Sequence, residues 1–455
     1  MRRSRISLLL ALAGFAFGSA AVAAPPAEET FFPRTGDPGY QVEHYDVRLA
    51  YEQDGGSIRV QERIWAEATS ELRSFSLDLY GLHVREVWVN SSPVRFERGR
   101  GKLHVRLPKP IGKWGNLRVR LVYDGRPRSL VDPDGGHEGW QRTDDGALAV
   151  GEPLGTATWL ACNNYPGDKA TFNVSILVPR PLVAASNGRL LGVEARGSRR
   201  LYRWGATRLM SPYLAVIDIS RGRLVEETIA GIPAWTLIDP RLERAARRVR
   251  RELPEILRFE SRLFGGYPFQ ATGSIFDYAP KLGYALETQT RPIYTYAPGR
   301  TLVVHEVAHQ WFGDLVGLER WPEIWLNEGL ATWTQWFYAE RHGGPSARRI
   351  FSRLREVPAS NERFWNPPPG DPGSPRHLFD PTVYVRGAMA VQALRQKIGT
   401  QTLIRVLRRW TSEHRHGSAT IGEFIALAEE VGGRDLDTLF QRWLYQRGKP
   451  RSVSI

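Results

Sequence analysis

A chain of 455 residues with 42% hydrophobic and 11% aromatic residues holds enough apolar material for two or three folded units and is not an intrinsically disordered polymer. Its formal charge of +14 comes mostly from arginine spread along the whole length, with no basic run and no aromatic-rich module interleaved with it, which excludes nucleic acid as the expected partner. One cysteine, Cys162, excludes an intrachain disulfide and reads as a small buried hydrophobe.

At the start, Arg2, Arg3 and Arg5 precede an apolar run from Ile6 to about Val22, which closes in the small residues Ala20 to Ala24. Residues 1–24 therefore read as a secretory signal peptide, cut after Ala23 or Ala24, so that no membrane anchor is left and the protein is exported to the periplasm or the medium. A retained anchor is the alternative, opposed by the glycines and serines inside the run. No later run is long and apolar enough to span a bilayer. Residues 25–40 are Pro-rich and polar and are expected to be a flexible leader.

From 41 to 220 short alternating runs such as Tyr45, Val47, Leu49 and Phe172, Val174, Ile176, Val178 are separated by turns, among them Asp132-Pro133-Asp134-Gly135-Gly136 and Ser186-Asn187-Gly188. Period two predicts half-buried strands, hence an antiparallel β-sheet domain. Residues 221–455 form a second domain, mixed at first and then mainly helical. Ala234, Trp235 and Leu237 suggest a strand, Arg241 to Phe264 a helix, Gly273 to Tyr278 a strand, and the stretch around His305 and Glu328 a helical pair. Past the loop 366–375, helices are expected over 386–398, 403–410, 420–431 with a capping box of Thr420 and Glu423, and 436–445. The fold class is α+β.

His305, Glu306 and His309 spell H-E-x-x-H, and Glu328 follows with eighteen residues between it and His309. On a helix, His305 and His309 lie one turn apart on one face and can aim two imidazole nitrogens at one ion. A carboxylate from a second helix, Glu328, would be the third ligand and leave a position for water, the arrangement of a catalytic zinc, one per chain. Glu306 projects to the side and can take a proton from that water. The flanking Trp311, Trp325, Trp333 and Trp336 read as core packing. Up to this point a zinc endopeptidase of thermolysin type, an enzyme cutting at chain ends, and a non-catalytic zinc-containing binding protein all remain open.

HEVAHQWFG followed by WLNEGLATW resembles the zinc signature of the M1 aminopeptidases of the gluzincin clan, and the likeness runs from about residue 45 to the end. The resemblance implies a thermolysin-like catalytic domain and hydrolysis of the N-terminal peptide bond of peptides by metal-activated water. It also implies roles for residues that spacing alone could not assign. Ala285-Leu286-Glu287-Thr288 is similar to the family's G-A-M-E-N, giving Glu287 the substrate's amino group; Glu152, in Gly151-Glu152-Pro153, stands where a second amine-binding residue is placed. Val383-Tyr384-Val385-Arg386-Gly387-Ala388 is similar to its Y-x-K-G-A, giving Tyr384 the tetrahedral intermediate. Departures are Leu286 and Thr288 for Met and Asn, Arg386 for Lys, and a short interval between Glu287 and His305. By this likeness the chain is a minimal form without the family's C-terminal helical domain, with a more open cleft. It is expected to act as a monomer on peptides with a free N-terminus.

Overall fold

The computed structural model describes residues 29–451; the expected signal peptide lies outside the described residues. An eight-stranded sheet runs in the order Arg189–Arg196, Arg199–Met210, Ala170–Pro179, Tyr40–Glu52, Ser57–Ala68, Asn116–Gly125, His83–Val89, Ser92–Pro93. Only the pairing of Tyr40–Glu52 with Ala170–Pro179 is parallel. Across that pairing Tyr45, Val47 and Leu49 stand opposite Phe172, Val174 and Ile176, all six buried, as period two requires of a sheet with one face on a core. A five-stranded sheet, in the order Val183–Ser186, Ile217–Ser220, Ala147–Val150, His137–Arg142, Ser129–Val131, carries the loops that reach the second domain.

The second domain opens with a hairpin, Arg223–Ile229 and Ile232–Ile238, where the sequence suggested one strand. Its first strand, RLVEETI, is charged and largely uncovered, so it lacks the apolar alternation that announces a strand. The hairpin continues into Thr272–Phe276, Ile293–Tyr294 and the edge strand Ala285–Leu286. Helix α1 (Glu243–Phe264) is amphipathic, with Val249, Leu253, Ile256 and Leu257 among its buried residues. Helices α2 (Arg300–Ala308) and α3 (Trp325–Arg341) are covered on nearly every side, and Trp311, Trp325 and Trp333 are fully buried. Helices Ala347–Arg355, Gly387–Ile398, Thr400–Glu413 and Ile421–Gly432 follow, the last with the expected Thr420–Glu423 capping box. The helix expected over 436–445 is a short α segment, Asp437–Phe440, that widens into a π turn, Gln441–Tyr445.

The flexible leader expected over 25–40 is not what residues 29–39 form. The Glu29 carboxylate accepts from the backbone N–H groups of Phe31 (2.7 Å) and Phe32 (3.2 Å) through one oxygen and of Trp321 (2.7 Å) through the other. The Phe32 ring then packs edge-on against Trp321. One buried acid with three donors outweighs the entropy that a Pro-rich, polar composition suggests would win.

The two domains are joined by a clamp. Arg291, fully buried, donates from Nε to Trp235 O (3.0 Å), from Nη2 to Gly188 O (2.7 Å) and from Nη1 to Ser186 O, and its guanidinium lies 4.6 Å over the Trp204 ring. The Ser186-Asn187-Gly188 turn answers: Asn187 Nδ2 donates to Gln289 O (2.9 Å) and Gly188 N–H to Thr290 Oγ1 (2.8 Å). Gly188 sits at φ 77°, where a Cβ would stand 2.0 Å from Gly205 O, so no other residue fits. Arg291→Met leaves three buried carbonyls without donors and is expected to lower the unfolding free energy by about 2–4 kcal/mol in equilibrium urea unfolding; a loss under about 1 kcal/mol would show that the clamp is dispensable.

Candidate active site

Helix α2 ends one residue before His309, whose N–H still closes on His305 O at 3.3 Å, and the chain then turns so that Asp314 N–H returns to His309 O. Glu328 lies in the first turn of α3, which packs against α2. Its Oε2 stands 3.1 Å from His305 Nε2 and 3.5 Å from His309 Nε2, with the two imidazole centroids 4.6 Å apart and their planes at 80°. The three donor atoms lie within 4.8 Å of one another.

These residues fit a zinc ion. His309 Nδ1 is 3.0 Å from Phe312 O and must donate there, so the neutral ring turns the Nε2 lone pair toward the Glu328 carboxylate. Lone pairs brought this close repel unless a cation lies among them. Burial pushes the Glu328 carboxyl up, but His309 and His305 outweigh it and hold it at about 2. Burial likewise lowers His309, yet Glu328 and Glu287 lift it well above the usual histidine range. Lys169 of the first domain braces the loop after His309, donating to the carbonyls of Asp314 (2.9 Å) and Leu315 (3.2 Å).

Three more glutamates close on the triad. Glu306 is buried on α2, Glu287 is buried directly after the edge strand, and Glu152 comes from the first domain, in the turn after Ala147–Val150. Donor atoms of Glu287, Glu306 and His309 lie within 4.8 Å of one another, as do those of Glu152, Glu287 and Glu328. Burial raises all three of these carboxyls; His309 opposes the rise, and neighbouring carboxylates add to it. Glu152 Oε1 and Glu287 Oε1 are buried without hydrogen-bond partners. Gln310, next to His309, fixes the Glu287 segment by donating to Glu287 O (3.1 Å) and accepting from Thr290 N–H (2.8 Å).

Tyr384 sits in a π turn, Thr382–Arg386, with its ring stacked 6.0 Å from His305 at 21°. Arg386 is fully buried and holds this turn, donating to the carbonyls of Trp443 (3.0 Å), Arg442 (3.1 Å), Trp365 and Gln446. The turn reaches Glu328 because α3 and Gly387–Ile398 cross where neither has a side chain: a Cβ on Gly329 would stand 2.5 Å from Trp325 Nε1 and 3.1 Å from Gly387 C, and one on Gly387 would stand 2.5 Å from Trp325 Cδ1. The glycines of N-E-G-L-A and R-G-A thus set a helix crossing.

All seven residues singled out in the sequence, His305, Glu306, His309, Glu328, Glu287, Glu152 and Tyr384, line one cavity of about 530 Å³. Asp132, Asp134, Tyr284, Tyr296, Phe379 and Gln335 line it as well and carried no local signal; the Asp132–Gly136 stretch read only as a turn. Two histidines and a carboxylate on crossed helices, with a free glutamate beside them in an open cleft, are the constellation of a metal-dependent hydrolase.

Comparison with known proteins narrows the class. The chain matches the Peptidase family M1 domain over residues 285–443 and the Peptidase M1 N-terminal domain over 41–214. Among characterised relatives it is similar to tricorn protease-interacting factor F2 of Thermoplasma acidophilum, 23% identical over 90% of this chain and 54% of that protein. It is similar also to aminopeptidase 2 of Candida albicans, 21% identical over 90% of this chain and 47% of that one. The chain thus spans about half the length of these curated relatives. The M1 zinc metallopeptidase of Deinococcus radiodurans superposes with a TM-score of 0.84 at 26% identity, over 94% of this chain and 99% of that one. A mutant of that enzyme bound to a Tyr-Ser-Ala substrate superposes with a TM-score of 0.82 at 25% identity, over 93% and 99%. The chain belongs to peptidase family M1, and zinc is its cofactor.

Gly329→Ala is expected to force α3 off the Gly387 helix and displace Tyr384 from Glu328. Peptidase activity should fall by about tenfold or more while zinc content, read by atomic absorption, stays near one per chain. Full activity in this variant would show that the close crossing does not set the position of Tyr384.

Proposed function

We propose that this chain is a zinc aminopeptidase that hydrolyses the first peptide bond of peptides with a free N-terminus. The observation that carries the reading is the pair of buried, unpartnered carboxylate oxygens, Glu152 Oε1 and Glu287 Oε1, beside the histidine–glutamate triad. Two carboxylates that burial disfavours are best relieved by a cation, and the protonated terminus of a peptide is one, with three donors to share between them. Holding it there lays the first peptide bond across the triad.

His305, His309 and Glu328 would hold the zinc, which when bound acidifies a water and polarises the scissile carbonyl. Glu306 takes the proton as the water attacks and returns it to the leaving nitrogen; its raised affinity for a proton suits both halves of that transfer. The Tyr384 hydroxyl, kept protonated by burial and by Glu328, Glu152, Glu287 and Glu306 around it, donates to the oxyanion as it forms. Nothing in the cleft favours a binding protein without activity, since Glu306 and Tyr384 are both in place. A thermolysin-type endopeptidase leaves Glu152 and Glu287 without a task. The chain supplies every residue of the site, so the working unit is taken to be a monomer.

Glu306→Gln is expected to keep one zinc per chain and to lose about 10²–10⁴ in kcat. Glu287→Ala should lower kcat/KM for free-amine peptides far more than for their N-acetylated counterparts. Equal cleavage of acetylated and free peptides by the wild type would end the aminopeptidase reading.

We infer also that the protein is exported, on the strength of Arg2, Arg3, Arg5 and the apolar run to Val22. N-terminal sequencing of the natively expressed protein should start at Ala24 or Pro25; an intact Met1 in the mature protein overturns export by signal cleavage.

A further inference from the structure

Six of the residues around the cavity are acids: Asp132, Asp134, Glu152, Glu287, Glu306 and Glu328. Lysine and arginine are missing from its lining, although the chain carries 62 of them against 48 acids. The aminopeptidase reading gives tasks to the four glutamates and none to the two aspartates.

Asp132 and Asp134 lie in the turn between Ser129–Val131 and His137–Arg142. Asp132 Oδ1 accepts from the N–H groups of Asp134 (3.1 Å) and Gly136 (3.0 Å), and Asp134 Oδ1 accepts from Gly136 N–H (2.7 Å). The backbone of the turn uses Oδ1 of each carboxylate, the two carboxyls are hydrogen-bonded to each other, and among the described residues no lysine or arginine pairs with either. Burial and the adjacent Asp134 carboxyl raise Asp132 to about 7, as expected of like charges held together without a counter-ion. Their place in the cleft is set by Tyr284, whose hydroxyl donates to His137 O at 2.6 Å and which has Glu138, Asp132, Glu152 and Asp134 around it. The pair therefore stands on the Glu152 side of the cleft, in the cavity that Glu287 also lines. Glu287, only 3% exposed, points independently to a cationic ligand in the same cavity through its unpartnered oxygen.

We propose that the Asp132–Asp134 turn is a subsite for a positively charged side chain on the substrate's first residue, so that peptides beginning with arginine or lysine are the preferred substrates. A guanidinium offers five donors in a planar fork, which two adjacent carboxylates can share, while the α-amino group remains with Glu152 and Glu287. The inference rests on the aminopeptidase reading and adds the substrate class to it.

The test compares coumarin amides of arginine and citrulline on the zinc-loaded enzyme. Citrulline keeps the length and the planar end of arginine, and it lacks the charge and two of the five N–H donors, a carbonyl oxygen standing in their place. The wild type should favour arginine by about tenfold or more in kcat/KM. In the double variant D132N/D134N, where each Asn retains an oxygen to accept the turn's N–H groups, the ratio should fall to near one. A wild-type ratio near one, a preference that survives in the double variant, or a parallel loss on both substrates with the ratio intact each overturns the proposal. If neither amide is cut, the aminopeptidase reading fails separately, and calorimetry with argininamide and citrullinamide decides the subsite. Tighter argininamide binding that is lost in D132N/D134N supports the subsite; equal binding of the two amides removes it.

Discussion

Four glutamates share one corner of this molecule, and the repulsion among them is the constraint that the rest of the fold answers. Glu152, Glu287, Glu306 and Glu328 arrive from a turn in the first domain, a sheet edge and two helices, and burial works against the ionised form of each. His309 and His305 compensate Glu328, and His309 in part compensates Glu287 and Glu306. The remaining charge calls for cations that the chain does not supply: a metal at one end and, in the proposed function, the substrate's amine at the other. A site of this kind takes stability from the protein, and its geometry survives only because the scaffold around it is over-determined.

That scaffold depends on two buried arginines, neither of which has a carboxylate partner. Arg291 grips the segment after Glu287, and Arg386 grips the turn that carries Tyr384; both are satisfied by backbone carbonyls alone. A guanidinium suits this task better than an ammonium, because its planar donors reach three carbonyls at Arg291 and four at Arg386, in each case on two separate segments, where three donors on a single nitrogen could not spread so far. The arginine at position 386, in a stretch where the family commonly carries lysine, thereby has a structural reason. Using carbonyls also keeps further negative charge out of a crowded electrostatic environment.

The metal half of the site was legible because it is local: His305 and His309 are one helical turn apart, and Glu328 follows on the next helix. Glu306 came with them. Glu287, Glu152 and Tyr384 are separated from the metal by domain-scale topology, and only likeness to a known family pointed to them; no periodicity does. What stayed hidden was of two kinds. Arg223–Ile229 is a strand with little apolar pattern to announce it, since its partner strand and α1 cover it only in part. Asp132, Asp134 and the anchor at Glu29 looked like turn and linker residues, and what they touch is settled by domain docking rather than by their neighbours in sequence. Patterns of burial predict elements well where each element buries its own face, and fail for residues whose partners lie hundreds of positions away, as Trp321 lies from Glu29.

The fourfold grip of Arg386 also bears on when the enzyme can exist. Its partners include Arg442, Trp443 and Gln446, made more than fifty residues after Tyr384. A ribosome that has finished every residue lining the cleft has still not made the carbonyls that hold the Tyr384 turn in shape. The Tyr384 turn can therefore take its final shape only once residues 442–446 have been made and folded onto the guanidinium, so a local turn of the site is set by a contact distant in sequence.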